Sequence, residues 1–216
     1  LKSGALENLY QFARLDRRVA VVTDSGVPAQ YAQRVADQCK DAKIITVPQG
    51  EASKSFKILE TVLRQMLEFN MGRGDLVIAV GGGVVGDLAG FAASTLSMID
   101  SSIGGKTAVD LGDTKNIVGA FWQPKLVIVD PETLSTLPRR HYINGLAEAV
   151  KASLLADPEL FAIFEKGDVD ARIGEIIYRS LRFKKNIVEQ DEQEHGMRKA
   201  LNFGHTIGHG IEAVKG

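Results

Sequence analysis

The chain has 216 residues, of which 44% are hydrophobic and 25% charged, with a formal net charge of −1. This describes one large or two small globular domains and excludes a disordered or fibrous chain. Near-neutral charge gives no general attraction for nucleic acid or an anionic membrane, so any anion binding must be local. The N-terminal residues lack the apolar core of a signal peptide, and no apolar run reaches membrane-spanning length. Cys39 is the only cysteine, which excludes an intramolecular disulfide and suits a reducing compartment. The expectation is a cytoplasmic protein with no nucleic-acid or membrane partner.

Residues 18–23 (RVAVVT), 43–47 (KIITV), 76–80 (LVIAV) and 126–129 (LVIV) are short, continuous, β-branched runs. Such runs suit strands of a parallel sheet buried on both faces. Amphipathic helical stretches at 28–39 and 53–70 separate the first three, giving a βαβαβ alternation. Asp24, just past the first strand, is placed to hold a ribose hydroxyl. Glu51 and Lys54 open the second helix and by themselves read as ordinary charges at a helix start.

The third strand runs into Gly81-Gly82-Gly83-Val84-Val85-Gly86-Asp87, with a helix expected over 87–94. This satisfies G-x-G-x-x-G in a strand–turn–helix setting, where glycines admit close backbone approach and a helix N-terminus offers N–H groups to a pyrophosphate. The fit is imperfect, because this is not the first strand and no acid follows about 20 residues on. A turn that needs glycine for packing alone is the competing reading.

Asp100-Ser-Ser-Ile-Gly-Gly-Lys106-Thr107 looks like a P-loop but has Asp100 where the motif requires glycine. Read as a loop of small residues with Lys106, and with Lys115 and Asn116 just beyond, it suits a phosphorylated or polyhydroxylated ligand. A merely solvated loop remains the alternative.

After Pro138 the strand signal stops, and 139–155, 158–165 and 173–189 read as helices. An α/β domain over 1–135 and a helical domain over 136–216 are expected. Asn144, Glu148 and Lys151 share a helical face; Glu148 and Lys151 alone could be a surface ion pair. Lys184 is a candidate for an anionic ligand, or simply a solvated lysine. Read as one helix at about 100° per residue, residues 198–212 place Arg198, Asn202, His205, His209 and Glu212 within about 80°. Two of the four histidines thus stand at i, i+4, and spacing alone suggests Glu148, His205 and His209 as three zinc ligands.

The segments GGGVVGDLAGFAAST, LSMIDSSIGGKTAVD, KNIVGAFWQP, NGLAEAVK and RKALNFGHTIGHGIEA together closely resemble the 3-dehydroquinate synthase family. The wider sugar-phosphate cyclases and, more distantly, metal-dependent alcohol and glycerol dehydrogenases share parts of the pattern. The resemblance implies a Rossmann-like α/β domain, mainly parallel, followed by an all-α domain that is incomplete in this sequence. It implies conversion of 3-deoxy-D-arabino-heptulosonate 7-phosphate to 3-dehydroquinate and phosphate in the shikimate pathway. The reaction would proceed by transient oxidation of an alcohol, phosphate elimination, re-reduction and intramolecular aldol closure. NAD, a divalent metal (zinc, with cobalt as an alternative) and a homodimer are implied with it. Another sugar-phosphate cyclase, or an NAD- and metal-dependent polyol dehydrogenase, stays open as an alternative.

By the same resemblance Asp24, Glu51, Lys54 and Gly82, Gly83, Val84, Val85, Gly86 and Asp87 bind NAD. Lys106, Lys115, Thr133, Leu134, Ser135 and Thr136 assist. Glu148 and His205 are metal ligands, while Asp100, Lys106, Asn116, Lys151, Lys184, Arg198, Asn202 and His209 contact the substrate or assist proton transfer. Compared with the family, a segment with Met-Arg-Gly and Pro-Thr-Thr elements is missing between Thr95 and Leu96. The third metal ligand is expected beyond Gly216. Residues 111–115 (LGDTK) replace the usual Pro-Leu-Gly-Lys.

Overall fold

Val19, Ala20, Val21 and Val22 are all fully buried, which a strand achieves only when both of its faces are covered. In the computed structural model these residues belong to β1 (Arg18–Asp24), the middle strand of a parallel sheet. It lies between β2 (Asp41–Val47) and β3 (Leu76–Val80), in the order β2-β1-β3. The structure describes residues 1–72, 74–96, 106–111, 114–121, 123–192, 195–204, 207–208, 211 and 214. They fall into two compact units, Leu1–Asp130 and Pro131–Gly216. Among the described residues no helix is long and apolar enough to cross a membrane.

In the first unit the alternation of β1 sorts its side chains onto two cores. Ala20 and Val22 pack with Ile45, with Leu59, Val62 and Met66 of α2 (Phe56–Glu68), and with Val85, Leu88 and Ala92 of α3 (Gly83–Leu96). Val19 and Val21 pack on the opposite face with Ala32 and Val35 of α1 (Ala29–Ala36) and with Leu9 and Leu15. Leu9 belongs to a leading 3₁₀ segment, Ala5–Gln11. A reversal of winding direction at β1 puts α1 and α2 on opposite faces of the sheet, as in doubly wound folds.

Two local expectations change. Residues 126–129 form no strand, although their hydrophobicity is used: Ile128 packs on the core beside α1. The Val129 carbonyl accepts from the Lys2 N–H at 3.1 Å, and the Asp130 carboxylate accepts from Gly4 and Leu6 at 3.1 Å each. The backbone partners shown thus come from the N-terminal segment and not from a sheet neighbour. Second, part of the expected loop at 100–107 is strand. β4 (Lys106–Leu111) pairs antiparallel with β5 (Thr114–Phe121), with a register irregularity between Val109 and Leu111. Val109 is fully buried in the core with α2 and α3.

The regular elements described in the second unit are all helices. α4 (Arg139–Ala156), α5 (Pro158–Lys166) and α6 (Ile173–Gln190) enclose Ala149, Leu160, Ile163 and Ile176. α5 has Pro158 in its first turn, and the Asp157 carboxylate accepts from the Leu160 N–H at 3.0 Å, a side-chain cap of the usual kind. A 3₁₀ segment, Met197–Asn202, follows α6. The continuous helix expected over 198–212 is therefore broken. Gly204 adopts φ +83, a left-handed conformation that a helix cannot carry through and that glycine tolerates best. Ile207, Gly208, Ile211 and Val214 are helical again beyond it.

Candidate functional site

In the first unit the loops after the strands meet at the carboxyl end of the sheet, the usual ligand position where winding reverses. Thr23 Oγ1 donates to the Val80 carbonyl at 2.8 Å, tying the ends of β1 and β3. Asp24 Oδ1 accepts from the Gly26 and Val27 N–H groups at 2.8 and 3.1 Å, so this carboxylate shapes the loop that carries it. The three glycines after β3 are not equivalent. A Cβ on Gly81 would lie 2.7 Å from Val85 Cγ2, so packing of the chain on itself requires that glycine. A Cβ on Gly82 or Gly83 would meet nothing within 4 Å. These two glycines keep space open at the start of α3, where first-turn N–H groups have no intrahelical acceptor. The arrangement fits a pyrophosphate.

Lys54 reaches this turn from the segment before α2. Its side chain is 8% exposed, with Nζ 2.6 Å from Asp87 Oδ2 and 3.7 Å from Glu51 Oε1. Its carbonyl accepts from the Asp110 N–H of β4 at 2.8 Å. Burial pushes the Asp87 carboxyl above the ordinary carboxylate range; Lys54 opposes the rise, Glu51 adds to it, and the Ala108 N–H opposes it. Glu51, Lys54 and Asp87 thus form one charge cluster beside the glycine turn. Lys106 lies on β4, and Lys115 and Asn116 on β5; Asp100 lies outside the described residues.

In the second unit Thr133, Leu134, Ser135 and Thr136 belong to a 3₁₀ segment, Pro131–Thr136, in which Ser135 and Thr136 donate to the carbonyls of Glu132 and Thr133. Glu148 and Lys151 of α4 are paired at 2.7 Å, and Lys151 Nζ also donates to the Leu201 carbonyl at 2.7 Å. The Lys151 side chain is mostly buried while that of Glu148 is open to solvent. Arg198 is only 4% exposed, and its guanidinium donates to the Glu192 carbonyl. Burial pulls its pKa below the arginine norm, with Asp191 and Glu192 acting the other way.

Lys184 is exposed as a residue, while partial desolvation of its side chain is the largest influence holding its pKa below the lysine norm. Glu148 counteracts this shift, and Arg198 and Lys151 add to it. Lys184 of α6 thus feels Glu148 and Lys151 of α4 and Arg198 of the 3₁₀ segment, while Arg198 also has the carboxylates of Asp191 and Glu192 near it. Lysines and an arginine that act on one another suit an anion of more than one charge. Asn202 ends the same 3₁₀ segment. His205, His209 and Glu212 lie outside the described residues. Among those described, no three His, Cys, Asp or Glu side chains are grouped to hold a metal.

One organising residue escaped the sequence reading. Asp191 accepts three backbone N–H groups of the turn that carries Arg198. Its pattern, an acid at a helix end a few residues before Gly196, is too common to single it out.

The parallel sheet, glycine turn and helical second unit define a fold shared with NAD-bound cyclases. A 2-epi-5-epi-valiolone synthase from Streptomyces hygroscopicus, solved with NAD+ and Zn2+ bound, matches with a TM-score of 0.85 at 28% identity, over 98% of this chain and 66% of that one. A 2-deoxy-scyllo-inosose synthase, complexed with carbaglucose-6-phosphate, NAD+ and Co2+, shares the fold with a TM-score of 0.83 at 23% identity, over 99% of this chain and 66% of that one. Residues 44–144 match the family described as 3-dehydroquinate synthase N-terminal, and residues 145–216 its C-terminal counterpart. The 3-dehydroquinate synthase of Clostridium perfringens (strain 13 / Type A) is 46% identical over 192 residues, covering 81% of this chain and 55% of that protein. That of Geobacter metallireducens is 39% identical over 241 residues, covering 99% of this chain and 67% of that protein. The chain belongs to the 3-dehydroquinate synthase family. It spans between about half and two thirds of the length of these relatives.

Proposed function

We propose that the complete protein is a 3-dehydroquinate synthase, acting on 3-deoxy-D-arabino-heptulosonate 7-phosphate to give 3-dehydroquinate and phosphate. The observation that carries this reading is the Lys151–Glu148 pair beside Lys184, on which Glu148, Arg198 and Lys151 all act, in a chain 46% identical over 192 residues to a synthase of that name. A substrate with both a carboxylate and a phosphate needs several cations, and an uncharged polyol needs none.

Within the first unit, Asp24, Glu51, Lys54 and the Gly82-to-Asp87 turn would hold NAD, and the open space at Gly82 and Gly83 supports this. Lys106, Lys115 and the 133–136 segment are assigned to the same cofactor by family resemblance. Glu148 and His205 would be metal ligands; the exposed Glu148 carboxylate is the described member of that pair. When bound, NAD would take up and return a hydride, and zinc or cobalt would polarise the oxygens at the oxidised carbon. Arg198 and Lys184 would hold substrate anions by charge-assisted hydrogen bonds. Asp100, Lys106, Asn116, Lys151, Asn202 and His209 complete the proposed substrate contacts, with His209 as a proton-transfer group.

The valiolone synthase of like fold makes a cyclase of a different sugar phosphate the second reading, which a substrate panel separates. The decisive assay incubates the complete gene product with the heptulosonate phosphate, NAD and zinc. Stoichiometric phosphate release is expected, and its absence refutes the assignment. A homodimer in the cytoplasm is proposed with it, for which light scattering should give twice the protomer mass.

A further inference from the structure

We infer that Asp191 is the positioning residue of the Arg198 anion contact, its carboxylate holding the turn that presents the guanidinium at the end of α6. The inference rests on the proposed role of Arg198. Asp191 directly follows α6, and its own N–H still donates to Ile187 at 3.0 Å, so its place is fixed by the helix. From there Oδ1 accepts from the His195 N–H at 2.8 Å, and Oδ2 accepts from Gly196 at 2.7 Å and from Arg198 at 2.9 Å. One carboxylate thus gathers the N–H groups of three residues of a turn that would otherwise need three acceptors.

The same turn supplies the Glu192 carbonyl that accepts from the Arg198 guanidinium. Main chain and side chain of Arg198 are therefore fixed by two consecutive residues at the helix end. An arginine only 4% exposed gains little freedom to search for a ligand, so its aim depends on where this turn is held. Lys184 stands on α6 itself and feels the Arg198 charge. Anchoring the turn to the end of α6 sets the spacing between the two cations.

A purely structural clamp and a positioning residue differ in how Asp191 substitutions combine with loss of Arg198. In the complete enzyme, Asp191→Asn keeps an oxygen for two of the three N–H groups and should raise KM for the heptulosonate phosphate about tenfold, with a smaller change in kcat. Asp191→Ala should raise it roughly 100-fold, the range of a hydrogen bond to a charged group. In an Arg198→Met background, Asp191→Ala should add less than about threefold, because the group it aims is gone. Equal losses in both backgrounds overturn the inference. So does Asp191→Asn with an unchanged KM while amide exchange at Gly196 and Arg198 is faster. An Arg198→Met enzyme with unchanged KM is a different result: it refutes Arg198 as an anion contact, and this inference with it.

Discussion

Lys54 joins three parts of the first unit through one residue. Its ammonium lies 2.6 Å from Asp87 of α3 and its carbonyl bonds to Asp110 of β4, while its own segment leads into α2. Removing the charge leaves Asp87, whose side chain is 20% exposed, without its close cation. Lys54→Met should therefore cost toward the lower end of the about 3–5 kcal/mol typical of breaking a buried pair. The pH dependence has a definite sign. Asp87 is already held above its ordinary value by burial, and loss of Lys54 raises it further. Folding then takes up a proton as pH falls toward that raised value, so the mutant deficit should shrink on acidification. Urea unfolding of both proteins at pH 7.5 and pH 5 tests this, and a deficit that grows toward pH 5 contradicts it.

At the scale of elements, α5 and α6 are fastened by Arg179. It pairs with Asp157 at 3.1 Å, Glu159 at 2.8 Å and Glu175 at 3.0 Å, while Asp157 also caps α5. Burial pushes Asp157 upward most strongly, but the Leu160 N–H and Arg179 together hold it below the usual carboxylate range. Arg172 first and then Arg179 hold Glu175 low as well. Lowered folded-state values mean stability that is present above the unfolded pKa and lost as pH falls through the folded one. Asp157→Ala should cost about 1–2 kcal/mol at pH 7 for the cap and its pair, and the gap to the parent should close below about pH 4. Acid melts followed by circular dichroism measure it; a gap constant down to pH 3 contradicts the assignment. These helices were legible because their apolar period is long and their ends carry Pro158 and Gly167. The β4–β5 hairpin was not, since its short segments carry lysines and glycines that read as loop, and only pairing and the burial of Val109 make it a sheet. The break at Gly204 was hidden for the opposite reason: the polar period continues through a glycine whose φ the letters do not reveal. The Glu148–Lys151 pair followed from spacing within one helix, whereas the approach of Lys184 and Arg198 depends on how separate elements pack.

For the whole molecule, the glycine turn connects fold, cofactor and reaction class in a single experiment. A ligand that binds only the folded state stabilises it by about 2.7 kcal/mol at a concentration 100 times its Kd, so NAD should raise the melting temperature of the complete protein. Gly82 has open space where a side chain would go. A Gly82→Val variant should therefore unfold within about 0.5 kcal/mol of the parent when no ligand is added. With NAD present its protection should be lost, because the new side chain fills the approach to the first-turn N–H groups of α3. A variant that melts early without NAD would mean the glycine serves packing, as Gly81 does. A variant that keeps full protection would place the cofactor elsewhere. With the parent enzyme and the heptulosonate phosphate, absorbance at the NADH wavelength should show no net rise while phosphate accumulates, since a cyclase returns the hydride in each turnover. Steady NADH accumulation would instead make the protein a simple dehydrogenase, for which the cluster of Lys151, Lys184 and Arg198 would have no substrate anion to hold.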